Sequence, residues 1–141
     1  MSVPAILAPL FVQVLLTLAL MLGMMVFRGR AVLRGETRLE SIAMREPNWP
    51  RQAALFANCF GNQFELPVLF YVLTILSMMT RHADLVFVLL AWVFVALRVV
   101  QALVHVTTND VRLRGSFYAA GAIVLLVMWL IFVVKIMLGL P

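Results

Sequence analysis

Between Val3 and Phe27 the chain carries no charged residue, and three further stretches are nearly as apolar. The four together constrain the fold more than any other feature. They place candidate spans at about 3–27, 51–80, 85–107 and 114–139. Each supplies the ~20 apolar residues that a bilayer-crossing helix needs. Backbone amides have no water to bond in hydrocarbon, so apolar segments of this length imply helices rather than open strands. The expected fold class is all-α integral membrane, a four-transmembrane-helix bundle forming one domain over residues 1–141.

Composition agrees. Hydrophobic residues make up 65% of the chain and charged residues 12%, against about 25% charged in a soluble domain. The net charge of +5 is not a nucleic-acid signature, because the arginines cluster beside apolar segments. The first loop and its flanks hold Arg28, Arg30, Arg34, Arg38, Arg45 and Arg51, and the third loop holds Arg112 and Arg114. The other side has only Arg81 and Lys135. The basic loops are therefore expected to be cytoplasmic and both termini outside. Glu36, Glu40 and Glu46 make the first loop a mixed-charge surface. The first span is too long for a signal peptide, and its basic residues follow rather than precede it. No targeting motif is evident, which suits a bacterial inner (cytoplasmic) membrane. A single cysteine, Cys59, forms no internal disulfide and sits where a small packing residue is wanted. No metal-ligand cluster or phosphate-binding glycine loop is visible.

Two polar ladders interrupt the apolar pattern. Arg51, Asn58, Asn62 and Glu65 fall on one face of the second span. Arg98, Gln101, His105 and Arg112 fall on one face of the third, with the same spacings in reverse order. If the spans turn near Thr80–Asp84, then 65 lies level with 98, 62 with 101, 58 with 105 and 51 with 112. Ionisable residues at membrane depth cost roughly 2.5–3.5 kcal/mol each on insertion scales and mark functional sites by default. One reading is structural: Glu65 neutralises Arg98, and the amides tie helices together. The other is a pocket open to the cytoplasm, whose arginine rim suits a carboxylate or phosphate. A transporter subunit is disfavoured because the outer halves of both spans lack a polar stripe. Pro67 removes a backbone hydrogen bond and presses on the Gln63 carbonyl, so a kink beside Glu65 is expected.

The segments Asn58-Cys-Phe-Gly-Asn62-Gln-Phe-Glu65-Leu-Pro67-Val-Leu-Phe-Tyr71 and Arg98-Val-Val-Gln101-Ala-Leu-Val-His105 resemble the MAPEG family, membrane-associated proteins in eicosanoid and glutathione metabolism. The resemblance extends to size, four-span layout and orientation. It implies a homotrimer that binds glutathione near the cytoplasmic side of the subunit interface. A stabilised thiolate then attacks, or reduces, a lipophilic small molecule entering from the bilayer. By the same resemblance Arg51, Asn58, Asn62, Glu65, Arg98, Gln101 and His105 would hold glutathione. Arg112 or Arg114 would assist the thiolate, with Arg28 or Arg30 as alternatives. Asn58 stands where glutathione-using members usually have arginine, and Gln101 and His105 where they often have tyrosines. A non-catalytic lipid-binding or partner-presenting scaffold of the same fold is the rival reading.

Overall fold

The computed structural model describes residues 1–141 and contains five α-helices and no strand: α1 (Val3–Leu33), α2 (Arg51–Asn62), α3 (Leu66–Met79), α4 (Leu85–Val106) and α5 (Val111–Leu138). A single 3-10 turn, Leu39–Ser41, lies in the long loop after α1. The segments Val3–Leu33, Arg51–Met79, Leu85–Val106 and Val111–Leu138 are each long and apolar enough to cross a membrane. The protein is thus a four-span helical bundle, as its apolar runs require.

The second span is two helices rather than one kinked helix. Pro67 has no N–H and cannot sit deep inside a helix, but the first turn tolerates it. The chain therefore breaks before it and restarts α3 at Leu66. Across the break Gln63, Phe64 and Glu65 donate to carbonyls three residues back, at 3.0, 3.1 and 3.3 Å. α1 differs from expectation at its other end. It continues six residues beyond Phe27, to Leu33, because nothing in Arg28–Leu33 stops a helix once it has left hydrocarbon. α5 begins at Val111, ahead of the expected 114. Asp110 caps it, accepting from the Arg112 and Leu113 amides at 3.0 and 3.2 Å.

α4 is the inner helix, packed along α5 and against α1, α2 and α3. The core joins Phe70 and Leu73 of α3, Ala91, Phe94 and Val95 of α4, and Leu125 and Met128 of α5. Phe70 and Phe94 are fully buried, with ring centroids 4.9 Å apart. Large apolar residues such as Phe11, Leu15, Leu22, Leu126 and Leu130 point outward, the arrangement a bilayer favours.

Where α1 meets α2, a missing side chain sets the spacing. A Cβ on Gly23 would stand 2.4 Å from the Phe56 ring, which is itself stacked on Phe27 at 5.0 Å. Gly23→Ala should therefore force the two helices apart. Overpacking of this kind costs about 1–3 kcal/mol, partly offset by up to ~1 kcal/mol of helix propensity. Gly29 has open space around it, so Gly29→Ala should show only the propensity gain. Thermal melting of both variants in one detergent checks this. Equal melting temperatures would show that α1 and α2 do not need the close approach.

At the opposite end of the bundle, Asp84 caps α4 through the Phe87 amide at 2.9 Å and pairs with Lys135 at 2.5 Å. This ties the far end of α5 to the turn before α4. Burial pushes the Asp84 carboxyl up, but the Lys135 ammonium and the Phe87 amide together hold it below the ordinary carboxylate range. A depressed folded value gives stability that is present above an unfolded value of about 3.9 and lost as pH falls through the folded one. The Asp84 side chain is 43% exposed, so solvent screening keeps the effect small. Asp84→Asn should flatten the acid-side slope of stability below about pH 4. An unchanged slope would locate the acid sensitivity elsewhere.

Candidate functional site

The last turns of α2, the second half of α4 and the start of α5 enclose a polar cavity of about 600 Å³. α2 and the break contribute Asn58, Asn62 and Glu65, spaced so that all three face one side. α4 contributes Gln101 and His105, one turn apart, and α5 contributes Arg114 and Tyr118, also one turn apart. Gly61 and Gly115 complete the lining, and each leaves open space where a Cβ would stand. No aliphatic side chain lines it. Asn58, Gly61, Glu65 and Gly115 are exposed in the single chain, so the cavity opens sideways out of the bundle.

Arg114 organises the mouth. Its Nη1 donates to Asn109 Oδ1 at 2.8 Å and lies 2.9 Å from His105 Nε2. A guanidinium has no acceptor, so His105 must accept at Nε2. A neutral ring then carries its proton on Nδ1. That atom is 3.3 Å from the Asn62 carboxamide, which must present its oxygen rather than its nitrogen to receive the proton. Arg114 then donates in two directions, to Asn109 in the third loop and to His105, and His105 passes the donation on to Asn62 inside the cavity.

Arg98 lies behind this wall. It is fully buried. Its Nη2 donates to the Asn62 carbonyl at 3.2 Å and to Gln63 Oε1 at 3.3 Å. Its Cζ stands 5.7 Å from the centroid of the Tyr118 ring, within cation–π range. Gln63 Oε1 also accepts from Gln13 at 2.9 Å, and Gln63 donates to the Cys59 carbonyl at 2.9 Å. The buried arginine is thus held by the broken turn, and through Gln63 it is linked to α1.

The expected ion pair between Glu65 and Arg98 is not formed. The pair of Lys135 and Asp84 is the one salt bridge within 4.0 Å. Glu65 sits in the break and turns to α5, where it accepts from the Tyr118 hydroxyl at 2.8 Å. The two ladders lie at comparable depth, but their partners shift: Arg98 meets Asn62 and Gln63, and Asn62 meets His105. Equal counting from the hairpin predicts level, not side-chain direction.

Six of the nine residues singled out from the sequence line the cavity: Asn58, Asn62, Glu65, Gln101, His105 and Arg114. Arg98 is buried beside it. Arg51 and Arg112 are exposed and outside it. Sequence reasoning missed Tyr118, Gln13 and Gln63. Tyr118 lies one turn after Arg114 on the same face of α5, and Gln13 is the only amide in the uncharged first span. Two guanidinium groups against one carboxylate leave the site with positive charge, suited to an anionic or thiolate-bearing ligand. No three His, Cys, Asp or Glu side chains converge to hold a metal ion.

The model of the MAPEG family matches residues 6–134 of the chain, which takes in all but the outer ends of α1 and α5 and includes every residue of the cavity. No curated protein and no solved structure matches it.

Proposed function

The chain belongs to the MAPEG family, and from that premise we propose that the polar cavity binds glutathione and presents its thiolate to a lipophilic electrophile. The observation that carries this reading is the convergence of Glu65, three carboxamides, His105 and Arg114 on one sideways-open cavity in an apolar bundle. Each group suits one part of a short acidic thiol peptide. Glu65 can accept from its ammonium. Asn58, Asn62 and Gln101 can bond its amides. Arg114 can pair with a carboxylate or with the thiolate itself. A free thiol ionises near pH 8.5, and an adjacent cation lowers that value. The thiolate sulfur then forms a bond to an electrophilic carbon, and the displaced group leaves with the electron pair. With a hydroperoxide, two thiols supply the electrons and the products are an alcohol, water and a disulfide.

The exposed lining suits a site completed by a neighbouring subunit, in line with a homotrimer. The arginine-rich loops support a cytoplasmic position for the cavity, in a bacterial inner membrane. Calorimetric titration of glutathione into the detergent-purified protein, with ultraviolet absorbance followed in the same sample, tests the proposal. Saturable binding with thiolate formation supports it. Binding without thiolate favours a non-catalytic scaffold. No binding at millimolar glutathione rejects the site.

A further inference from the structure

A second cavity, of about 540 Å³, lies between α2, the end of α1 and the long loop. It is amphipathic where the first is polar. Met24 and Phe60 line its deeper part, while Arg28, Arg45, Glu46 and Trp49 line its mouth. Arg28 is packed over the Trp49 ring at 4.8 Å. Its Nε is buried and makes no hydrogen bond, so a donor of a fixed guanidinium is left without an acceptor. Arg45 is exposed and held in a left-handed conformation, with φ 64°. One Glu46 oxygen is taken by the Met44 amide at 2.9 Å.

The height of this mouth identifies its occupant. A helix rises 1.5 Å per residue, so Arg28 stands about 37 Å along α1 from Val3. The hydrocarbon core is about 30 Å thick and the headgroup layers extend it to about 40–45 Å. With Val3 at one edge of the core, Arg28 falls in the headgroup layer at the other. Met24, one turn deeper, falls at the start of the acyl region. The cavity presents cations and an aromatic at phosphate depth and apolar surface just beneath. Two arginines against one glutamate give a surplus of one positive charge, which matches a singly charged phosphodiester.

We infer that this cavity is a binding site for an anionic glycerophospholipid of the surrounding bilayer, its phosphodiester on Arg28 and Arg45 and the first part of an acyl chain on Met24 and Phe60. The site is separate from the glutathione cavity, but Asn58 lines both.

The test uses the full chain in uncharged detergent. Dioleoylphosphatidylglycerol is titrated into the micelles and read by tryptophan fluorescence and by the rise in melting temperature. Saturable changes in both are expected, with dioleoylphosphatidylcholine giving neither. Trp49→Phe should abolish most of the fluorescence change and keep the melting shift. Arg28→Gln combined with Arg45→Gln should weaken binding at least tenfold. Arg45→Gln alone, a change at an exposed loop position, should weaken it severalfold and remains informative if the double variant misfolds. Arg38→Gln, outside the cavity, should change nothing. Equal responses to the two lipids would overturn the inference. So would equal losses in Arg38→Gln and Arg45→Gln, which would reduce it to diffuse surface charge. Inorganic phosphate reproducing the full effect would assign the cavity to a free anion instead.

Discussion

Replacing Arg114 with alanine should lower glutathione-dependent turnover about 100-fold, the loss typical when one preorganised donor to a developing or stabilised anion is removed. Two effects combine. The guanidinium leaves the mouth of the cavity, and His105 loses the donor at 2.9 Å that fixes its orientation. Asn62 then loses a fixed partner as well. Arg112 is the internal control. It sits two residues earlier on the same helix, carries the same charge and lies outside the cavity. Arg112→Ala should therefore keep turnover near the wild-type level. Steady-state kinetics and calorimetry on both variants decide the matter. Equal losses would show that the loop acts through its overall potential and not through one positioned group.

Arg98→Ala should destabilise the folded subunit by about 3–5 kcal/mol, the cost of removing a buried group from two charge-assisted hydrogen bonds and leaving a cavity. The side chain is fully buried and satisfies the Asn62 carbonyl at the point where the second span breaks. Arg98→Lys should recover only part of the loss, because an ammonium is more strongly hydrated than a guanidinium and so costs more to bury. Arg98→Met fills most of the volume without donors and so separates the cavity cost from the hydrogen-bond cost. Glu65→Gln should cost under about 1 kcal/mol, as for other exposed groups that are not in a dry ion pair. Melting temperature and yield of folded protein check the series. A wild-type melting temperature for Arg98→Ala would remove this residue from the architecture. A loss in Glu65→Gln as large as in Arg98→Ala would restore the ion pair that the geometry denies.

The four spans were legible because hydrocarbon imposes a length and a composition that few other folds share. The ladder residues were legible because polarity inside such spans is rare. Five of them, Asn58, Asn62, Glu65, Gln101 and His105, do meet in one cavity. The partners were not legible, because helical spacing specifies a face and a height but not a rotation toward one neighbour or another. Glu65 illustrates this. Pro67 ends α2 early and turns Glu65 out toward α5, where Tyr118 waits. No pairwise count between the second and third spans contains that third helix. The extension of α1 was missed for a different reason. Apolarity marks where the bilayer ends, and α1 continues past that limit.

A polytopic chain enters the membrane in order, and the second span precedes the third. The interrupted turn at Asn62 is thus available before Arg98 arrives. A lone arginine near the centre of an inserting helix costs roughly 2.5–3.5 kcal/mol. The remainder of Leu85–Val106 is apolar enough to carry that cost. Once the two spans dock, the carbonyl at Asn62 and the amide at Gln63 receive the guanidinium. The proline that looks like a flaw in the second helix is thereby a receptor for the third, and chain order becomes part of how the bundle is assembled.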